Sequence, residues 1–168
     1  QYQIAAYWSL VGSVTLSVDV KNRLTFNGSI PECPGVYKLC VQKTLCAYIG
    51  EGQNIHKRIN NYANAGWIEK ATKEFTNRRI QGWLLKELGD GNSAEIYICT
   101  EAFISKSGCN EKQLPFDNKY NRLIVESLAI NDLQDDWTLK NKVKKIFGTF
   151  VYHTLGFPAN KMFCKKMR

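Results

Sequence analysis

The sequence has no apolar run long enough to cross a membrane, so it gives no support for a membrane-spanning protein. Its first residues, "QYQIAAYWSLVGSVTLSV", have neither the basic segment nor the small-residue cleavage site of a signal peptide, and we do not expect secretion. A long basic amphipathic helix with a bulky aromatic face is also missing, which argues against binding at a membrane surface. Because the chain begins with Gln1 rather than Met, we expect that it was trimmed or cut from a longer chain.

Cysteine spacings typical of metal sites are absent as well. The chain has six cysteines and two histidines, but no CxxC pair, so we do not expect a structural zinc site. A chain of 168 residues can bury a sufficient core without a disulfide framework. We therefore expect mostly reduced cysteines in a reducing compartment, either the cytoplasm or a eukaryotic nucleus. The six are Cys33, Cys40, Cys46, Cys99, Cys109 and Cys164.

No repeat, low-complexity tract or linker interrupts the chain, and 168 residues suit a single domain, 1–168. Apolar residues make up 44% and charged residues 23%, which is an ordinary globular composition. The net charge of +8 favours attraction to polyanions such as nucleic acid, an anionic membrane or an acidic protein. Many basic domains bind none of these, so charge alone does not select a partner.

The pattern of apolar residues predicts a small, roughly three-stranded β-sheet flanked by helices, an α+β fold. A weak strand-like alternation also occurs within residues 1–20, and Gly108 and Pro115 indicate a loop over 102–117. A further helix is predicted to begin near Thr138 and to end before Pro158. The other predicted strands are 35–42, 46–50 and 94–99, and the other predicted helices are 54–65, 67–89 and 119–130.

The helix at 54–65 has one feature that a plain packing element does not need. Ile55, Ile59 and Ala63 recur at helical spacing and are predicted to face the core. Arg58 and Tyr62 are also four residues apart, so they lie one above the other at the edge of that face. A guanidinium there would suit a phosphate, although a solvated arginine beside a half-buried tyrosine explains the pattern equally well.

Glu126 lies within the otherwise apolar stretch "LIVESLAI" on the helix at 119–130. A carboxylate beside apolar packing is costly unless it is paired or bound to a cation. Arg122 is four residues earlier and offers an ordinary helical ion pair, so both interpretations stay open from these residues alone.

Taken together, these pieces resemble the GIY-YIG nuclease family. "GVY" at 35–37 and "YIG" at 48–50 correspond to the two signature tripeptides, with valine in place of isoleucine in the first. "GQNIHKRI" at 52–59 contains the helix arginine of the family, and Tyr62 follows where the family has histidine or tyrosine. The resemblance extends over about 35–141, with 1–34 and 142–168 as elaborations. The remaining matched positions are Glu126 and, as the better of two candidate asparagines, Asn141 rather than Asn131.

The resemblance implies a metal-dependent nuclease that hydrolyses phosphodiester bonds, mostly in DNA. It assigns Glu126 as the ligand of Mg²⁺ or Mn²⁺ and Arg58 as the group that binds the scissile phosphate. It further implies that Tyr37 acts as general base, that Tyr48 orients the water or phosphate, and that Tyr62 donates a hydrogen bond there. The implied catalytic set is therefore Tyr37, Tyr48, Arg58, Tyr62, Glu126 and Asn141.

DNA is the implied partner, and several basic residues flank the implied site and would contact its phosphates: Lys57, Lys70, Lys73, Arg78 and Arg79. The elaborated ends suggest a restriction-type endonuclease. Alternatives are the nuclease domain of a repair, mobile-element or toxin protein, a catalytically inactive nucleic-acid-binding module, and a basic protein-interaction domain. The sequence leaves open whether the chain is a monomer or a homodimer.

Overall fold

The computed structural model describes residues 2–21, 23–63, 74–106, 110–141 and 150–155. The helices are α1 (Ile55–Ala63), α2 (Glu74–Gly89) and α3 (Lys119–Leu133). The strands are β1 (Tyr2–Tyr7), β2 (Ser9–Leu16), β3 (Leu24–Gly28), β4 (Gly35–Val41), β5 (Cys46–Gly52), β6 (Ala94–Cys99), β7 (Ala102–Lys106), β8 (Lys112–Gln113), β9 (Thr138–Leu139) and β10 (Phe150–Leu155).

The central sheet has six strands in the order β3-β2-β6-β4-β5-β9. Its three middle strands, β6, β4 and β5, are those that the sequence predicted at 94–99, 35–42 and 46–50, so these predictions are confirmed. The β4–β5 hairpin is antiparallel, and its open end pairs Gly35 with Gly52 and Tyr37 with Gly50. That register sets Tyr37, the last residue of the first tripeptide, opposite Gly50, the last residue of the second.

Helices cover both faces of this sheet, and therefore every residue of β4 is buried. One face packs against α1 and α2 through a cluster that includes Tyr37, Leu39 and Ile59. The other face packs against α3 through a cluster that includes Val36 and Ala129. Alternate residues of a strand point to opposite faces, so neighbouring positions of β4 serve two separate cores.

A second sheet of four strands, in the order β10-β1-β7-β8, contributes Ile4 and Ala102 to the core around α3. The α+β class is confirmed, but the sheets are larger than the three strands expected. The loop predicted over 102–117 is wrong, because β7 and β8 lie there. β7 pairs antiparallel with the distant β1 on one side and with β8 on the other.

The helix predicted from Thr138 toward Pro158 is also wrong where the structure describes it. β9 begins at Thr138 and extends the central sheet by pairing in parallel with β5, and β10 occupies 150–155. In the first 20 residues, the weak alternation corresponds to β1 and β2, whereas Val18 lies outside the strands and is 98% exposed. β3 was not predicted.

The helices follow the predictions more closely. α1 and α3 lie within a few residues of 54–65 and 119–130, and the described part of 67–89 forms α2. Ile55, Ile59 and Ala63 are buried as predicted. None of the helices in the described ranges is long and apolar enough to span a membrane.

Lys38 is a fully buried lysine on β4, facing the core around α3, and its Nζ lies 3.8 Å from the ring centroid of Trp8. Burial lowers the pKa of its amine to about 8, although the nearby Cys40, Asp132 and Cys99 oppose that change. Between about pH 8 and the ordinary 10.5, the unfolded chain carries a proton on this amine that the folded protein does not. Stability contributed by this residue therefore rises with pH across that window.

We expect Lys38→Met to be more stable than the parent near neutral pH, because methionine fills similar space without a buried charge. The difference in free energy of unfolding should shrink by about 2–3 kcal/mol as pH rises toward 10.5, the ordinary pKa of lysine. Urea unfolding of both proteins over this range measures it. Lys43→Met, at an exposed lysine of the β4–β5 turn, is the control and should show no such trend. A difference independent of pH would contradict the prediction.

Candidate functional site

Three tyrosine rings meet at the open end of the β4–β5 hairpin. Tyr37 comes from β4, Tyr48 from β5 and Tyr62 from the last turn of α1. The hydroxyls of Tyr37 and Tyr62 are 2.5 Å apart and share a hydrogen bond. The ring of Tyr48 lies 6.3 Å from that of Tyr37 and 5.9 Å from that of Tyr62, measured between centroids. The structure thus brings together three of the residues that the sequence implied.

The three phenols differ in their access to solvent. Tyr37 and Tyr62 are completely buried, whereas Tyr48 keeps 6% of its surface exposed. Burial, and then the nearby Tyr48, raises the pKa of Tyr37 well above that of a free phenol, while Arg58 and the hydrogen bond with Tyr62 act in the opposite direction. Burial likewise raises the pKa of Tyr62. Ionisation of either buried phenol therefore requires positive charge close by.

Arg58 supplies such a charge from the edge of α1. Its guanidinium carbon lies 5.2 Å from the ring centroid of Tyr62, and its Nη1 donates a 2.9 Å hydrogen bond to Oδ1 of Asn77 on α2. Burial lowers the pKa of the guanidinium, but the three tyrosines, with a hydrogen bond to Tyr48, outweigh that effect and raise it. The arginine is half-buried and fixed by its neighbours, rather than a freely solvated side chain.

Glu126 approaches the same end of the sheet from α3. Its half-buried carboxyl has no hydrogen-bond or ion-pair partner within the described part of the chain. Burial, and then the nearby Glu51 carboxylate, raises the pKa of Glu126 to about 7, while Arg58 opposes that change. Arg58 acts electrostatically on both Tyr37 and Glu126, so the three groups lie close enough for their charges to interact.

The alternative that paired Glu126 with Arg122 along the helix is wrong. Arg122 is buried and its Nε instead binds Oε2 of Glu51 at 2.8 Å. Its Nη1 donates to Oε1 of Gln53 at 2.9 Å. The same Nη1 also donates to the backbone oxygens of Phe116 and Asp117.

Sequence reasoning missed this cluster of Arg122, Glu51 and Gln53. A buried guanidinium needs several acceptors, so an arginine on the inward side of an apolar helix was the available signal. The identity of its partners was not accessible, because Glu51 is 71 positions away in the chain.

Asn141 lies beside β5 and completes the backbone pairing of one residue. Its Oδ1 accepts from the amide of Ile49 at 2.9 Å, and its Nδ2 donates to the carbonyl of Ile49 at 2.6 Å. Ile49 stands between Tyr48 and Gly50, so Asn141 holds the second signature tripeptide in place. Its side-chain amide is therefore engaged by the backbone of β5.

The basic residues implied to contact DNA are only partly described. Lys57 on α1 and Arg78 and Arg79 on α2 are exposed, and Arg79 also donates to the backbone oxygen of Lys140. The remaining two, Lys70 and Lys73, lie outside the described residues.

Gly50 is required for the tyrosine cluster. A Cβ atom added there would lie 2.5 Å from Cζ of Tyr37 and closer still to its hydroxyl oxygen, far inside van der Waals contact. We expect Gly50→Ala to displace the buried Tyr37 ring, lowering the free energy of unfolding by about 1–3 kcal/mol. Chemical denaturation measures the change. Gly82→Ala is the control, because nothing lies within 4 Å of a Cβ there and alanine favours the helix. Equal stability of Gly50→Ala and the parent would contradict the prediction.

No protein-family model matches the chain, and no curated protein matches it. Among solved structures, a mutant of bacteriophage T4 EndoII is similar with a TM-score of 0.53 and 16% identity, over 78% of this chain and 91% of that chain. The restriction endonuclease HPY188I, solved in complex with product DNA, is similar with a TM-score of 0.41 and 15% identity, over 82% of each chain. At 16% identity, the likeness to EndoII shows a shared fold.

Proposed function

We propose that the protein is a metal-dependent endonuclease of the GIY-YIG type that hydrolyses phosphodiester bonds in DNA. The observation that carries this proposal is a tyrosine cluster with a fixed arginine beside it, close to a half-buried carboxylate that has no partner among the described residues: Tyr37, Tyr48, Tyr62, Arg58 and Glu126. The fold shared with EndoII of bacteriophage T4 and the net charge of +8 support the same proposal.

The donor set suits a hard divalent cation bound together with substrate. No group of three or more histidine, cysteine, aspartate or glutamate side chains that could hold a metal occurs within the described ranges. Mg²⁺ is commonly held by one or two carboxylates, with waters and substrate phosphates in the other positions, and Glu126 fits that role. Bound there, Mg²⁺ or Mn²⁺ would neutralise charge that develops on the phosphate.

Each of the other side chains has a separate proposed role in catalysis. Arg58 presents a planar set of donors to the scissile phosphate and stabilises its developing charge. Tyr37 would first lose its own proton to solvent, favoured by the positive charge of Arg58, and as the phenolate it would accept the proton of the attacking water. Its hydrogen bond to Tyr62 holds the oxygen in place. Tyr48, the most exposed of the three phenols, orients the water or the phosphate. Glu126 would hold the cation.

A plasmid-cleavage assay tests the proposal. We expect the purified chain to convert supercoiled plasmid into nicked or linear DNA in the presence of Mg²⁺ or Mn²⁺, and to leave it intact in EDTA. Discrete fragments would support a restriction-type enzyme, and a smear a non-specific nuclease domain. Plasmid bound but uncut under all metal conditions would overturn the proposal in favour of an inactive nucleic-acid-binding module.

We also propose that α2 contacts the DNA backbone through Arg78 and Arg79, which are both exposed. Changing both to alanine should weaken binding to any sequence and reduce the slope of log affinity against log salt by about 0.9 per lost contact. Fluorescence anisotropy with a labelled duplex across a salt series measures this slope. Lys106→Ala with Lys112→Ala removes the same charge from exposed positions of the second sheet and should leave the slope unchanged. Equal slopes for both double variants would place α2 away from DNA.

A further inference from the structure

Arg122 links several segments next to the candidate site through its hydrogen bonds. Only 3% of its surface is exposed, and its donors bind four acceptors from β5, the β5–α1 turn and the loop before α3. These segments include Glu51 and Gln53, immediately before α1 and its Arg58. α3 is therefore fixed against the segment that leads into Arg58.

The charges in this region have an asymmetric arrangement. The Glu51 carboxylate acts electrostatically on Glu126, yet of these two only Glu51 has a direct ion pair within the described residues, at 2.8 Å to Arg122. Arg122 and Glu126 are four residues apart on α3, a spacing at which an arginine and a glutamate commonly pair. Arg122 instead binds Glu51 and Gln53, and Glu126 has no ion pair among the described residues.

We propose that Arg122 is a positioning residue that engages Glu51 so that Glu126 alone remains available to the cation. This inference rests on the proposed function. Arg122 compensates one of two neighbouring carboxylates and keeps it out of the cation site, and it also fixes the helix that carries the other. Its effect on catalysis acts through Glu51 and Glu126.

Arg122→Gln tests both proposed effects of Arg122, its engagement of Glu51 and its fixing of α3. Glutamine keeps polar character but removes the positive charge and the planar set of donors. We expect Mn²⁺ to bind roughly tenfold more tightly to the DNA-free variant, since a nearby positive charge is lost and Glu51 becomes available as a second ligand. Cleavage at saturating Mg²⁺ should nevertheless fall about 100-fold, because the released Glu51 carboxylate draws the cation out of register with Arg58 and α3 loses its anchor. Isothermal titration calorimetry measures the Mn²⁺ affinity, and plasmid cleavage measures the rate.

Glu51→Gln provides the opposite change in charge. The introduced amide oxygen can still accept a hydrogen bond from Arg122, so the contacts of Arg122 should persist. The net charge near Glu126 becomes more positive. We expect Mn²⁺ to bind roughly tenfold more weakly, with cleavage at saturating Mg²⁺ within about threefold of the parent. This variant keeps the inference testable if Arg122→Gln does not fold by circular dichroism.

The double variant Glu51→Gln/Arg122→Gln separates positioning from structural support. With both charges gone, Mn²⁺ affinity should return to within about threefold of the parent, and cleavage should recover at least about tenfold over Arg122→Gln alone. A purely structural role predicts that the two losses add. Lys119→Gln, at an exposed lysine on the same helix, is the matched control and should leave both measurements unchanged.

The inference is overturned if Arg122→Gln cleaves at the parent's rate, if its Mn²⁺ affinity falls rather than rises, or if the double variant is no faster than Arg122→Gln. It is likewise overturned if Glu51→Gln leaves Mn²⁺ affinity unchanged. A parent protein that cleaves no DNA with any metal is a failure of the proposed function. A parent that cleaves, with an Arg122→Gln variant that behaves like it, is a failure of the inference alone.

Discussion

Glu126→Gln is expected to abolish DNA cleavage, by at least roughly 10³-fold, while leaving DNA binding intact. Glutamine has nearly the same shape, but its neutral amide cannot hold Mg²⁺. Binding should persist because the proposed phosphate contacts come from Arg58 and the basic surface of α2. Plasmid cleavage with Mg²⁺ measures the first effect, and fluorescence anisotropy in EDTA measures the second. Glu111→Gln, at an exposed glutamate between β7 and β8, is the control.

Cleavage by Glu126→Gln within about tenfold of the parent would remove the carboxylate from the proposed role. Loss of both cleavage and binding would instead make Glu126 a structural residue. The unpartnered state of the carboxyl argues against the second result, because its replacement by an amide breaks no ion pair that the described residues form.

The same carboxyl gives the reaction a pH dependence. Its pKa, raised to about 7 by burial and by Glu51, means that a proton and the cation compete for it near neutral pH. Below this pKa the carboxyl is protonated and binds the cation poorly. At limiting Mg²⁺, the cleavage rate should therefore rise as pH increases through about 7, and saturating Mg²⁺ should move that rise to lower pH.

The parts of the molecule that the sequence predicted well are those whose signals are local. β4, β5 and α1 follow one another from Gly35 to Ala63, and their alternation, hairpin spacing and helical periodicity can each be recognised within a short window. The tyrosine cluster formed from the same stretch, since the antiparallel register of one hairpin sets Tyr37 opposite Gly50.

The predictions that failed depended on distant partners. β7 has the glycine and proline neighbours of a loop, and it becomes a strand through pairing with β1, about a hundred residues earlier. Thr138 precedes a basic stretch that predicts a helix, but it pairs with Cys46 at the edge of β5. Arg122 had a plausible helical partner four residues away, yet the acceptors that reach its buried guanidinium come from another element.

The last prediction concerns the proton acceptor within the tyrosine cluster. Tyr37→Phe is expected to slow cleavage by roughly 10²–10⁴-fold, the usual range for loss of a general base, because it removes the ionisable oxygen and keeps the ring. Single-turnover cleavage at saturating Mg²⁺ and enzyme measures the chemical step. The parent's rate should climb between about pH 7 and 9, and the rate of Tyr37→Phe should lose that rise.

Substitutions of Tyr48 and Arg58 should slow cleavage by different amounts, and the order of the three variants tests the role of Tyr37. Tyr48→Phe should cost less, because an orienting hydrogen bond is worth only about 1–2 kcal/mol. Arg58→Lys should be nearly as damaging as Tyr37→Phe, since an ammonium cannot reproduce the planar donors that bind the phosphate and favour ionisation of the phenol. Circular dichroism and thermal unfolding establish that each variant is folded.

The 2.5 Å hydrogen bond between Tyr37 and Tyr62 indicates that the two hydroxyls act together in cleavage, which a double variant can test. If the two phenols act as one unit, the double variant Tyr37→Phe/Tyr62→Phe should be no slower than Tyr37→Phe alone, because the first substitution already removes the shared function. Fully additive losses would mean that the two hydroxyls act separately. A Tyr48→Phe variant slower than Tyr37→Phe would move the base to Tyr48, the phenol with the greatest access to solvent among the three.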